Sequence, residues 1–341
     1  MKNGLLRQCA VVFLSFVAFA TSQISAQSVE EFYKAKNLTL IIASGVGGGY
    51  DAYGRTLARH FGRHLPGNPT VIVQNMDGAS GLEATNHIAN RAERDGSVFL
   101  ATYNSLLIQP LFDNNKILFD ALTLNWIGSV AKSTAFCFTW HTSLARTLEQ
   151  AMVREVTMGS TGATGNNTIF PKLLNQLTGT KLKPIPGYTS NGVYLALEQG
   201  EVEGICGTGY AAVNATKPQW LSEKKLNILT QFGISKSADM PDVPLARDFV
   251  KNPADRKIFD LLAYPQEMGR PFVAPPNVPQ DRLQALRRAF DATMKDPEFL
   301  AESNKAFQDV EPLTGEEVTR LLKDAYATPQ DVIVRYKELI R

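Results

Sequence analysis

Three glycine-rich loops hold the residues best suited to chemistry. The first is Gly45-Val46-Gly47-Gly48-Gly49-Tyr50-Asp51, with four glycines in five positions. Such a loop turns tightly and lets a ligand approach the backbone closely. It lies where an apolar run ends and a helical pattern begins. Free backbone N–H groups and the positive end of the helix dipole therefore point outward, an arrangement that suits an anion. Asp51 fits the start of that helix, where a carboxylate caps free amides. The second loop is Asn75-Met76-Asp77-Gly78-Ala79-Ser80-Gly81, and the third is Gly159-Ser160-Thr161-Gly162-Ala163-Thr164-Gly165-Asn166-Asn167. The third adds hydroxyl and amide donors, more of them than one helix cap uses. None of the three contains lysine or arginine. A carboxylate held there would rest on amides and hydroxyls.

Competing chemistries fail on spacing. Gly47, Gly49 and Ala52 satisfy a loose G-x-G-x-x-A. The next strand, however, ends in Gln74-Asn75 and has no acid for a ribose. The phosphate loop G-x-x-x-x-G-K-[ST] is absent. His60 and His64 stand one helical turn apart, but Phe61 occupies the glutamate position of H-E-x-x-H. Beside Arg59 and Arg63 they read as a solvated helix end. No metal, cofactor or catalytic residue is expected.

The elements that position the loops read as α/β. Leu38–Ala43 is a continuous apolar run, the pattern of a strand buried on both faces. Tyr53, Leu57 and Phe61 share one face of a helix over Asp51–His64. Thr70–Val73, a helix over Gly81–Ala92 and Ser97–Thr102 complete a β-α-β-α-β unit. A second unit follows: strand Ala135–Trp140, helix Leu144–Met152, strand Glu155–Gly159, helix Asn167–Leu177, strand Leu182–Ile185, helix Gly192–Gln199 and strand Val202–Cys206. Mostly parallel sheets are expected. Trp126–Lys132 reads as the outward crossing between two domains and Leu226–Phe232 as the return. The predicted domains are 27–128 with 229–341, and 129–228. Two crossings make a hinge, and a hinge between two α/β domains places a cleft between them.

The first 26 residues read as an export signal. Lys2 and Arg7 precede the apolar stretch Cys9–Ala20, which is too short to span a membrane, and Ile24-Ser25-Ala26 offers a cleavage site. The 341-residue chain has 35 Lys+Arg and 33 Asp+Glu. Without Lys2 and Arg7 the balance is even, so no basic excess points to nucleic acid. Two cysteines remain, Cys137 and Cys206. An exported compartment permits a disulfide between them, but the plainer reading is two small buried residues.

At its loops the chain resembles the receptor subunits of the tripartite tricarboxylate transporters, the Bug family of periplasmic binding proteins. Gly47-Gly48-Gly49-Tyr50-Asp51 matches the family's P-G-G-G-x-D, with Val46 in the proline position. In N-x-P-G-A-G-G, residues Asn75, Gly78, Ala79 and Gly81 match, while Asp77 and Ser80 depart. Asp95-Gly96 and the stretch Glu198–Gly204 also fit. The resemblance implies a two-domain type II periplasmic-binding fold that closes on a small carboxylate. Carried over, the ligand contacts are Gly48, Gly49 and Asp51 in one domain and Ser160, Thr161, Thr164 and Asn166 in the other, with Tyr188 and Asn191 from the next turn. It also implies membrane transporter subunits as partners of a monomeric periplasmic receptor that is not an enzyme. Two alternatives stay open: a binding protein feeding a signalling receptor, and a secreted enzyme using Asp51 or His141.

Overall fold

The computed structural model describes residues 27–47, 49–112, 116–162, 165–189 and 192–340. The export segment, and the predicted contacts Gly48, Thr164 and Asn191, lie outside the described residues.

Two sheets organise the chain. The first contains β1 (Leu38–Ile42), β2 (Val71–Asn75), β3 (Val98–Ala101), β4 (Asn125–Ser129), β10 (Pro271–Ala274) and β11 (Leu313–Thr314), in the order β11-β4-β10-β3-β1-β2. The second contains β5 (Ala135–Trp140), β6 (Val156–Gly159), β7 (Leu182–Ile185), β8 (Gly204–Gly209) and β9 (Leu226–Phe232), in the order β7-β6-β8-β5-β9. The two share one plan. A parallel trio, β2-β1-β3 or β7-β6-β8, is followed by one reversed strand. That reversed strand is β10 in the first sheet and β5 in the second. Each is the first strand formed after the chain crosses over.

The central strands β1, β3, β5 and β10 are largely apolar because both faces of each sheet are covered there. In β1, Leu38, Leu40 and Ile42 face one core with Leu57, Phe61, Leu286 and Phe290. Ile41 points the other way, toward Ile88, Val318 and Leu322. In β5, Ala135 and Cys137 pack with Phe170 and Leu174, whereas Phe136 and Phe138 pack with Val193, Leu197 and Trp220. The alternating side chains of a strand thus serve two separate cores.

Three expectations change. First, β9 pairs with β5 along its whole length and is the edge strand of the second sheet, not the return crossing. The return is made after the helix Pro253–Met268. Second, that helix and the helix Gln330–Ile340 place Ile258, Phe259, Leu262, Val332 and Tyr336 in a core of the second sheet, although both fall within the segment 229–341 grouped with the first domain. An amphipathic helix shows that one face is buried, but not which sheet buries it. Third, Cys137 and Cys206 face each other across β5 and β8 and form a disulfide.

The two crossings run side by side. Ser133 N–H donates to Gln266 O (2.8 Å), and Arg270 N–H donates to Ala131 O (3.0 Å). Ser129 Oγ donates to Met268 O at 2.6 Å and accepts from Arg270 N–H at 3.0 Å. Gly269 sits where they touch, with φ +38°, and a Cβ there would collide with the Ala131 carbonyl and the Lys132 backbone. Only glycine fits that contact.

Candidate functional site

A cavity of about 470 Å³ opens between the two sheets beside the paired crossings. Three groups of residues wall it. The first-sheet side gives Tyr50 from the glycine loop and Tyr103, Asn104, Ile108 and Phe112 from the segment after β3. The second-sheet side gives Asn166, Ile169 and Phe170 from one helix and Gly207 and Gly209 from β8. The crossings give Ser133, Leu262, Gln266 and Arg270. A smaller pocket of about 200 Å³ adjoins it at Asn166 and Gly207, and is lined by Thr161, Asn167 and Tyr194.

The first loop ends in the helix Gly49–Phe61, whose first turn carries Asp51. Asp51 is buried. Its carboxylate accepts from Gly47 N–H (2.9 Å), Arg55 Nε (2.9 and 3.0 Å) and Asn75 Nδ2 (2.8 Å). Burial alone would raise its pKa. The bonds from Arg55, Asn75 and the Gly47 amide outweigh that and hold it below the ordinary carboxylate range. Asp51 therefore folds the glycine loop and ties it to β2. It does not line the cavity.

Tyr50 is locked in place. Its hydroxyl lies 3.0 Å from Gly269 O and 3.2 Å from Asn104 Oδ1, and it accepts from Asn104 N–H at 3.1 Å. Asn104 Nδ2 in turn donates to Pro265 O at 2.7 Å. The Tyr103 ring packs edge-on at 4.5 Å. Burial raises the Tyr103 pKa, with Tyr50 adding to the effect and Arg270 opposing it, so its hydroxyl stays protonated. The Arg270 guanidinium lies over the Tyr50 ring, 4.3 Å from its centroid, and 5.3 Å from that of Tyr53. Gly49, exposed at the helix start, is close enough that a Cβ there would lie 3.7 Å from Arg270 Nη2. An arginine and a helix N-terminus thus meet at one point, and both favour an anion.

The third loop behaves differently. Ser160 is fully buried, and its hydroxyl bonds that of Thr168 and lies 3.3 Å from Asn167 Oδ1. Thr161 donates its amide (3.3 Å) and hydroxyl (3.2 Å) to the same Asn167 oxygen. Thr168 Oγ1 donates to Gly162 O at 2.6 Å. Gly207, at φ +79°, lets the helix start come against β8, since a Cβ there would sit 2.6 Å from Asn166 O. Asn166 is exposed and faces both pockets.

The structure brings Asn166 to the cavity, puts Gly49 beside Arg270 and sets Thr161 at the adjoining pocket. Ser160 and Asp51 lie behind the surface. Tyr188, half-buried, has its hydroxyl 3.2 Å from Glu201 Oε2 and lines neither pocket. Reading the loops alone missed Arg270, Tyr50 and Asn104. Arg270 stands between Gly269 and the buried strand Pro271–Ala274, and the signal was that a chain returning through a hinge must pass the cleft there. Among the described residues no three of His, Cys, Asp and Glu are grouped to hold a metal, and no helix is long and apolar enough to cross a membrane.

Solved structures share this fold. A tripartite tricarboxylate receptor-type (TctC) solute-binding protein from Polaromonas, solved with no ligand, has a TM-score of 0.71 at 20% identity over 89% of this chain and 99% of its own. A Rhodopseudomonas palustris protein with bound malate, MatC, gives 0.56 at 17% identity over 89% and 99%. A second R. palustris protein, solved with adipate, gives 0.59 at 15% over 89% and 95%. No curated protein matches the sequence significantly. The model of the tripartite tricarboxylate transporter family receptor matches residues 55–337, and the chain belongs to that family of periplasmic solute-binding proteins.

Proposed function

We propose that this protein is an exported receptor that captures a small carboxylate in the cleft between its sheets and delivers it to the subunits of a membrane transporter. One observation carries the reading. In a chain of this receptor family, the inter-sheet cavity has an exposed helix N-terminus and an arginine converging on its rim. Binding works by population shift. Contacts from the Asn166 side form with the cleft closed over the ligand, so the ligand binds the closed form better and draws the protein into it. The proposed ligand contacts are Gly48, Gly49, Thr161, Thr164, Asn166 and Asn191, with Ser160 and Asp51 shaping the loops behind them. The receptor acts as a monomer in the periplasm, its first 26 residues removed.

The test is thermal. A carboxylate at 100 times its dissociation constant stabilises the protein by about 2.7 kcal/mol. Scanning fluorimetry over a panel of mono-, di- and tricarboxylic acids is expected to show that rise for at least one. A panel with no shift at all rejects the carboxylate reading.

A further inference from the structure

We propose that Arg270 is the anion anchor of the cleft, and that the ligand is a monocarboxylate with an uncharged aromatic or alicyclic body. This rests on the reading of the cleft as a carboxylate site and narrows it.

The charge pattern is the starting point. Among the described residues, Arg270 is the one charged residue that lines the main cavity. Among the described residues no carboxylate lies within 4 Å of its guanidinium, although other arginines of the first sheet's helices are paired, Arg55 with Asp51 and Arg63 with Asp296. The nearby candidate Asp51 is occupied by Arg55, Asn75 and the Gly47 amide. The acid that senses Arg270 is Asp309, whose pKa is raised by burial and by Asp239 and Glu311. It forms no ion pair with the arginine.

The geometry is that of a prepared donor. The Arg270 backbone is fixed by Ser129 and Ala131, and its guanidinium lies over Tyr50, which is itself held by Asn104 and Gly269. A guanidinium over a ring is held by cation–π attraction, and its N–H groups remain to grip a carboxylate in a fork. The Gly49 helix start lies on the same side.

The remaining described wall carries no charge: Ser105, Gln109, Ser133 and Gln266 make one part of it polar, and an apolar part is left for the ligand body. Ile108, Phe112, Ile169, Leu262 and Tyr336 line the cavity, with the Phe112 and Tyr336 rings 5.2 Å apart. A second carboxylate in this apolar part would be desolvated with no cation to meet it, a costly state. A ring or aliphatic body fits there at no such cost.

The experiment is titration calorimetry of the full chain with benzoate, cyclohexanecarboxylate, benzamide, adipate and malate. It is run on the wild type, Arg270→Gln and Arg270→Lys, with circular dichroism and melting curves to verify folding. The expected result is binding of benzoate or cyclohexanecarboxylate at least about tenfold tighter than malate or adipate, and no binding of benzamide. Arg270→Gln is expected to weaken it about tenfold to a hundredfold, the loss of one hydrogen bond to a charged group, with Arg270→Lys in between. Dicarboxylates that bind tighter than the monoacids, with affinity unchanged in Arg270→Gln, overturn the proposal and leave the carboxylate receptor standing. Tighter dicarboxylates with affinity lost in Arg270→Gln overturn the monoacid preference alone. If no acid binds, the carboxylate reading falls with it. Should Arg270→Gln fail to fold, benzoate against benzamide on the wild type still decides whether a charge anchors the ligand.

Discussion

The two walls of the cleft are built on one plan and solve it differently. Each has a parallel strand, a glycine-rich turn and a helix start. On the first-sheet wall a carboxylate, Asp51, draws in the Gly47 amide, Arg55 and Asn75, and an arginine from the crossing sits beside the helix start. Among the described residues, the second-sheet wall of the two pockets carries no charge. Ser160, Thr161, Asn167 and Thr168 hold one another. The first wall is a fixed electrostatic seat, and the second is a neutral, internally bonded surface. The difference teaches that counting donors in a loop overstates what a ligand receives. Most of the third loop's hydroxyls are taken up in folding the loop itself.

The sharpest way to break this contrast is Asp51→Asn. It removes the charge that gathers the first loop and leaves a partly buried Arg55 with Asn75 Oδ1 but without its ion-pair partner. A loss of roughly 2–3 kcal/mol of stability is expected. Because Asp51 has a depressed pKa in the folded state, its contribution is fully present above the unfolded carboxylate pKa of about 4 and is lost as pH falls through the lower folded value. Urea midpoints at pH 7 and 5 should therefore differ between wild type and variant by the full amount, and the gap should narrow toward pH 3. A gap that is constant down to pH 3 would show that Asp51 carries no net electrostatic role.

The frame of the fold was legible in the sequence, and for a physical reason. Runs such as Leu38–Ala43 and Ala135–Trp140 are apolar at successive positions, which only strands covered on both faces require. The strands at Ala135–Trp140, Leu182–Ile185 and Leu226–Phe232 have the predicted ends. The third loop's helix was foreseen within a residue, at Asn166–Thr178. What was not legible depends on long-range pairing. Leu226–Phe232 looks the same as a hinge strand or as a sheet edge. Arg270 stands 220 positions after Tyr50 in the sequence, yet their contact builds the cation side of the cleft. The start of the helix predicted at Leu144 was missed for a local reason. Thr147 accepts from Gln150 N–H and caps a helix that begins at Leu148.

A milder perturbation of the first wall is Gly81→Ala in the second glycine-rich loop. There Ala79, Ser80 and Gly81 all have positive φ, at 51°, 55° and 84°. A Cβ on Gly81 would lie 2.6 Å from the Tyr103 ring and 3.0 Å from Ala43 Cβ. The left-handed backbone alone costs about 1–2 kcal/mol for an alanine. Displacing Tyr103 also loosens its edge contact with Tyr50, under the Arg270 guanidinium. A lowered melting temperature together with severalfold weaker carboxylate binding is the expected pair of results. Lower stability with unchanged affinity would separate the loop from the seat.

The smallest effects separate the two hydroxyls of the second wall. Ser160 is fully buried and bonded within the loop, whereas Thr161 is exposed at the adjoining pocket. Ser160→Ala deletes a hydroxyl whose partner, Thr168, keeps Gly162 O as an acceptor. Stability should fall by about 1 kcal/mol, with affinity changed little in proportion to the loss expected for Arg270→Gln. Thr161→Ala removes a donor that already serves Asn167 and faces solvent. Its stability should stay within about 0.5 kcal/mol of wild type, as for most surface substitutions. If the Thr161 hydroxyl turns to the ligand on closure, its loss will appear in the dissociation constant alone. The decisive comparison is therefore melting temperature against calorimetric affinity for both variants. Ser160→Ala that keeps its stability but loses binding tenfold would place that hydroxyl on the ligand. The neutral wall would then be a donor surface equal to the charged one.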